Sequence, residues 1–251
     1  MLGVPVEDAE RALILGQIAE LLVAHPRIGR ALAFKGGAIM RLVDRSPRLS
    51  RDLDASAVAG QRIRRRWIEE ALSTAAARRV VFGLPTIWNE NPASIVIPVI
   101  ECRPLSGQGK VAVSLSINWD DPLLDVPEQR TVEIAGRRVE LPVMTARERA
   151  AEKARAFLTR GEAADAHDLY YYGSVVLTAP DRRRLPDLIR RKLQRSRLPD
   201  TDLHVRWDEM AVLAEASYAR GEGLLLVATK APWPVVQRQL RRFKAAVPER
   251  M

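Results

Sequence analysis

The segment Phe34-Lys35-Gly36-Gly37-Ala38-Ile39-Met40, with Ser50-Arg51-Asp52-Leu53-Asp54 close behind it, constrains this chain more than any other stretch. Ala31 to Lys35 reads as a short buried strand, Gly36-Gly37 as a tight turn and Ala38 to Val43 as the first turns of a helix. Such a turn presents backbone N–H groups to an anionic ligand, and two glycines let that backbone come close to phosphate oxygens. In the extended segment that follows, alternate side chains share a face, so Asp52 and Asp54 project one way while Leu53 and Ala55 project the other. Two adjacent carboxylates repel until a cation neutralises them, and hard oxygen donors suit Mg²⁺ bound jointly with substrate phosphates. A divalent ion held there would stabilise charge growing on a transferred phosphoryl group and acidify an attacking hydroxyl. Alone, each motif is an ordinary loop or a solvated strand end. In this order, with a helix between them, they predict metal-assisted phosphoryl transfer.

A third block lies further on. From Ala146 to Leu158 the chain has no Gly or Pro and is dominated by strong helix formers, with Thr145 as N-cap and Glu148 three residues later. Lys153 falls among Ala150, Ala154 and Phe157, positions that pack, which aims a partly shielded ammonium at a carboxylate or phosphate. The bland alternative is a lysine that snorkels to solvent. Asp168 sits one turn after Asp165 on the next helix, where the bland reading is a surface salt bridge.

Together the three blocks resemble the AbiEii/MenT-type nucleotidyltransferase toxins of the DNA polymerase β-like superfamily. The resemblance rests on Phe-Lys-Gly-Gly-x-x-hydrophobic, on Leu-Ser-Arg-Asp-Leu-Asp, and on Glu152 to Arg160 followed by Ala164-Asp165-Ala166-His167-Asp168-Leu169-Tyr170. It implies that Lys35, Gly36, Gly37 and Ser50 hold the nucleotide triphosphate and that Asp52 and Asp54 bind Mg²⁺. It further implies that Lys153 neutralises transition-state charge and that Asp168 orients Lys153 or activates the acceptor hydroxyl. Two departures stand out. An arginine common before Asp165 is replaced by Ala164, and Ser114 and Ser116 occupy the strand where the superfamily often places a third acidic residue.

Composition sets the outer limits. With 251 residues, 47% of them hydrophobic, the chain can bury one large core or two small ones. No run approaches a membrane span, and Glu7, Asp8 and Glu10 near the N-terminus do not read as an export signal, so a cytoplasmic location is expected. Cys102 is the only cysteine, which excludes an internal disulfide, and three histidines form no zinc-ligand cluster. The net charge of +9 is uneven: residues 146–251 carry 21 Lys and Arg against 14 Asp and Glu, residues 1–145 carry 19 against 17. Clusters at Arg182-Arg183-Arg184, Arg190-Arg191-Lys192, Arg195 with Arg197, and Arg238 with Arg241-Arg242 and Lys244 attract polyphosphate in a salt-sensitive way. Few aromatics favour a structured RNA recognised by shape over single-strand tracking.

Periodicity predicts helices from Glu7 to Ala24 and from Gln61 to Arg79, the latter with Arg62, Arg64, Arg65 and Arg66 at its start, against the macrodipole. Strands are predicted at Ile95 to Ile100 and Val111 to Ile117, with a hairpin of Val132 to Ile134 and Arg138 to Val143 around Ala135-Gly136. Helices follow at Ala146–Leu158, Ala163–Leu177, Asp181–Gln194, Trp207–Arg220 and Pro234–Ala246, while Leu224–Val227 reads as either a strand or a helix. The expectation is an α+β fold. A nucleotidyltransferase domain with a mixed sheet flanked by helices (1–144) precedes a mostly helical domain (145–251) that completes the active-site cleft. The resemblance implies a toxin of a toxin–antitoxin system that transfers NMP from an NTP to an acceptor such as the tRNA 3′ end, blocking translation, with a cognate antitoxin as partner. Alternatives are a nucleotidyltransferase acting on a small molecule or a protein, or a catalytically silent nucleotide- or RNA-binding protein.

Overall fold

A computed structural model describes residues 6–58, 61–74, 82–83, 85–103, 110–121, 123–196, 198, 202–221 and 230–250. The chain divides into two compact units, Met1–Met144 and Thr145–Met251.

The first unit is a mixed sheet with helices against it. Its elements run α1 (Val6–Ala24), β1 (Leu32–Lys35), α2 (Gly36–Leu42), β2 (Asp52–Ala57), α3 (Arg65–Ser73), β3 (Asn89–Glu90), β4 (Ser94–Cys102), β5 (Val111–Asn118), β6 (Glu128–Ile134) and β7 (Arg137–Val143). The seven strands lie in the order β3-β4-β5-β2-β1-β7-β6. β1 runs antiparallel to β2 and parallel to β7, and β2 runs parallel to β5. Strand β2 alternates as expected, with Leu53 and Ala55 buried while Asp52 is exposed and Asp54 half-buried. Ile14, Leu15, Ile18, Leu21 and Leu22 of α1 join Ile68 and Leu72 of α3 and the inner faces of the strands in one apolar core. Pro98 has no N–H for the ladder, and the β4–β5 register shifts between Ile97 and Ile100.

Helix α3 is shorter than predicted. It begins at Arg65, and Arg64 is its N-cap without a side-chain cap hydrogen bond, so Arg62 and Arg64 precede the helix instead of opening it. Ile63 still packs into the core from the extended approach. The predicted stretch 75–79 and the Leu224–Val227 run lie outside the described residues, as does Arg197.

The second unit is helical: α4 (Ala146–Arg160), α5 (Ala163–Tyr171) continued by a π-helical turn (Tyr172–Val176), α6 (Ala179–Leu193), α7 (Leu203–Arg220) and α8 (Trp233–Lys244). Local chemistry fixes the ends. Thr145 accepts from the Glu148 N–H at the start of α4, and Gly161 ends it at φ 61°, a left-handed conformation that glycine adopts without a Cβ penalty. Thr178 and Asp181 form a reciprocal capping box on α6. Asp202 caps α7, which starts four residues before the predicted Trp207. Ala150, Ala154 and Phe157 of α4 are fully buried, with the Phe157 ring 4.8 Å from that of Trp207.

Candidate active site

The glycine turn and the carboxylate strand are neighbours in the sheet. Lys35, the last residue of β1, is in register with Asp54 of β2, and Phe34 with Ala55. Gly36 has φ +79°, and a Cβ placed on it would collide with the Asp54 carboxylate, whose Oδ2 occupies that space. Gly37 is equally tight: a Cβ there would overlap the Arg48 guanidinium and come within 3.1 Å of Ser50 Oγ. Gly36 is therefore required by its positive φ and the close approach of Asp54, whereas at Gly37 the approaching groups are Ser50 and the movable end of the Arg48 side chain.

The second carboxylate is held differently. Asp52 faces Ser114 across the parallel β2–β5 pair, and Asp54 faces Ser116. Ser114 Oγ donates to Asp52 Oδ1 at 2.6 Å, and Ser50 Oγ donates to the Asp52 carbonyl at 3.1 Å. The two serines on the strand where a third acid is common thus flank the carboxylates, and one of them orients Asp52.

Asp121 carries no motif of its own in the sequence. It follows β5, and its Oδ2 lies 3.4 Å from Lys35 Nζ, both side chains being mostly buried. The Asn118 side chain accepts from the N–H groups of Asp120 and Asp121, which fixes this loop. The one readable signal is Asp120-Asp121 just beyond the strand that neighbours β2.

Asp52 and Asp54 fit a hard divalent cation, being oxygen donors two residues apart on one strand face beside the Gly36-Gly37 turn. Among the described residues, no group of three or more His, Cys, Asp and Glu is assembled for a metal. A cation at this pair would take its remaining ligands from water and substrate oxygens, as Mg²⁺ commonly does.

In the helical unit, Lys153 and Asp168 are brought together. Lys153 Nζ lies 2.8 Å from Asp168 Oδ2 and 3.2 Å from Asp165 Oδ1, and both aspartates are fully buried. Asp165 is also gripped by Arg160, with Nε at 2.6 Å and Nη2 at 2.9 Å. The missing arginine before Asp165 is thus offset by one from the end of α4, five residues upstream. Buried His167 places Nδ1 3.8 Å from Asp168 Oδ1. Two buried carboxylates with a lysine and an arginine form a charge-balanced cluster, and removing one partner would strand a buried charge.

Lys192 departs from its expected role in a basic, phosphate-attracting run. It is fully buried, with Nζ 3.0 Å from Glu148 Oε1 and 2.9 Å from Glu152 Oε1. Helical phase explains the difference. Leu185, Leu188, Ile189, Lys192 and Leu193 form the packed stripe of α6, whereas Arg183, Arg184, Arg190 and Arg191 are exposed.

A family model described as "Nucleotidyl transferase AbiEii toxin, Type IV TA system" matches residues 20–245. The chain belongs to that family. AbiEii members are nucleotidyltransferase toxins of type IV toxin–antitoxin systems, and nucleotidyl transfer is the activity class of this chain. Among solved structures, MenT4, a nucleotidyltransferase toxin from Mycobacterium tuberculosis H37Rv, is 19% identical with TM-score 0.65, covering 95% of this chain and 84% of its own. JHP933 from Helicobacter pylori is 14% identical with TM-score 0.64, covering 98% and 92%. A putative nucleotidyltransferase from H. pylori is 14% identical with TM-score 0.63, covering 96% and 94%. At these identities the likeness is one of fold. No curated protein sequence gives a match.

Among the described residues no helix is long and apolar enough to cross a membrane. Cys102 has no place in the chemistry: it is buried, and burial pushes its thiol up to about 12.

Proposed function

We propose that this AbiEii-family protein transfers a nucleoside monophosphate from an NTP to the 3′ end of a tRNA, in a Mg²⁺-dependent reaction that blocks translation in the cytoplasm, and that a cognate antitoxin restrains it. The observation that carries the reading is the packing of the Asp54 carboxylate against Gly36, with Lys35 beside it in register. A nucleotide triphosphate laid on that turn would meet Lys35, the Gly36 and Gly37 backbone and Ser50, within reach of both carboxylates. Asp52 and Asp54 would hold the cation, which supplies Lewis-acid stabilisation of the charge developing on the α-phosphate.

In the transfer, the acceptor hydroxyl oxygen bonds to the α-phosphorus and gives up its proton to solvent water, while the bond to the bridging oxygen breaks and pyrophosphate departs. Lys35 neutralises phosphate charge, and Asp121 holds its ammonium in place until substrate arrives. Lys153 is assigned to the charge of the transition state and Asp168 to orienting Lys153, a role its 2.8 Å ion pair supports. The exposed arginines of α6 and α8 would receive acceptor phosphates.

Purified protein incubated with each labelled NTP, Mg²⁺ and total tRNA tests this reading. Label should appear at the RNA 3′ end, and Asp52→Ala should abolish it. Transfer to a small molecule or protein that survives Arg190→Glu with Arg191→Glu would overturn the tRNA assignment. NTP binding without pyrophosphate release would overturn catalysis itself.

A further inference from the structure

Four arginines precede or open α3, and folding alone does not explain them. Arg62, Arg64, Arg65 and Arg66 are exposed, no acidic residue occupies the first turn, and positive charge at this end opposes the helix dipole. Three of them, Arg62, Arg64 and Arg65, each lie over a tryptophan ring. The Arg62 guanidinium lies over the Trp119 ring at 5.3 Å, Arg65 over Trp88 at 4.7 Å, and Arg64 over Trp67 at 5.6 Å, a ring that Arg27 also approaches at 5.6 Å.

Two of the indoles are themselves pinned: Trp119 Nε1 donates to the Pro92 carbonyl at 2.6 Å and Trp88 Nε1 to the Pro85 carbonyl at 3.0 Å. A guanidinium drawn to an indole by cation–π attraction still carries N–H donors for other partners, and its fork of donors matches phosphate geometry. Glu90 and Glu69 each take part of one arginine, at 2.9 and 2.8 Å, so two acids face four bases and the patch remains positive. Arg62, Arg64, Arg65 and Arg66 line an open depression of about 540 Å³ with Glu69 and Glu90. The patch also adjoins the candidate site through the chain: Trp119 lies two residues before Asp121, which meets Lys35.

We infer that this arginine–tryptophan patch is a docking site for the phosphate backbone of the RNA acceptor, on the nucleotidyltransferase unit itself and separate from the basic helices α6 and α8. The inference rests on the RNA-acceptor reading of the function and adds to it where part of the RNA is held. Its geometry suits backbone phosphates over base edges, since the indole faces are already occupied by guanidinium groups. Contact there is sequence-independent and positions the acceptor without selecting it.

The test compares wild type with Arg62→Gln/Arg64→Gln/Arg66→Gln, a triple substitution confined to exposed side chains, in the full chain with total tRNA. Dissociation constants are measured at several salt concentrations between about 50 and 200 mM, without NTP or Mg²⁺. The variant is expected to bind at least about tenfold more weakly and to show a shallower salt dependence, by about 0.9 in log–log slope for each RNA phosphate it no longer neutralises. NTP affinity and melting temperature should match wild type. Equal RNA affinity and equal slope in the folded variant overturn the inference even if wild type transfers NMP to RNA. Weaker binding to an acidic polypeptide with RNA binding intact overturns it as well. Failure of wild-type transfer with RNA binding weakened in the variant sinks the catalytic reading and leaves this docking site standing.

Discussion

Asp54 Oδ2 occupies the space that a side chain on Gly36 would need. The turn and the carboxylate are thus built around each other, which places an acidic oxygen beside backbone that is free to approach phosphate. Gly36→Ala should disturb both at once. The left-handed φ of +79° adds backbone strain of about 1–2 kcal/mol. Gly136→Ala is the matched control, because Gly136 has φ +76° with nothing near its would-be Cβ. Gly136→Ala should show the cost of the backbone strain alone and Gly36→Ala a larger loss in thermal unfolding, and only Gly36→Ala should lose NTP affinity and at least about a hundredfold in transfer.

Ser114 orients Asp52 without being a carboxylate. Replacing it with alanine should reduce transfer about 10- to 100-fold, as loss of a supporting hydrogen bond to a metal ligand commonly does, and shift the Mg²⁺ titration to higher concentration. Asp52→Ala should remove activity altogether. Equal effects of the two substitutions would contradict the division of roles between ligand and support.

Lys192 is expected to matter for stability and not for RNA. Lys192→Met leaves Glu148 and Glu152 facing each other in the core, which should cost about 3–5 kcal/mol in denaturant unfolding. Where the variant still folds, its affinity for RNA should equal wild type. Arg190→Glu with Arg191→Glu should behave in the opposite way, with weak RNA binding and nearly unchanged stability.

The Cys102 thiol is pushed from 9.0 up to about 12 by burial. A raised value means that the fold favours the neutral thiol, so this contribution is complete below pH 9.0 and fades as pH rises from there toward 12. Iodoacetamide at pH about 8 should leave the native protein unlabelled and modify it fully in guanidinium, as mass spectrometry would register.

Much of this arrangement is legible in the letters because it rests on short-range rules. Period-two alternation places Asp52 and Asp54 on one face, the glycine pair marks the turn, and Thr145 marks the start of α4. The α+β character and the AbiEii resemblance follow from such segments and their order. What escapes the sequence depends on distance along the chain or on helical phase. Asp121 meets Lys35 across 86 residues, and no local pattern announces that contact. Arg160 reaching Asp165 is a matter of where Gly161 bends the chain. Lys192 looks like part of a basic block only while its phase is ignored; the spacing from Leu185, Leu188 and Ile189 already puts it on the inner stripe. The Arg62 cluster reads as the start of a helix that begins only at Arg65, and its tryptophan supports come from three separate segments.

The placement of β1 in the middle of the sheet has a temporal side. Its two neighbours are β2, encoded shortly after it, and β7, whose pairing residue Val143 is aligned with Phe34 across more than a hundred intervening positions. Closing so large a loop is slow compared with local hairpins, and during synthesis it must wait until the far strand has left the ribosome. A half-made polypeptide therefore carries the Lys-Gly-Gly bend without the frame that holds it, so the glycine–carboxylate arrangement is complete only once most of the first unit has emerged.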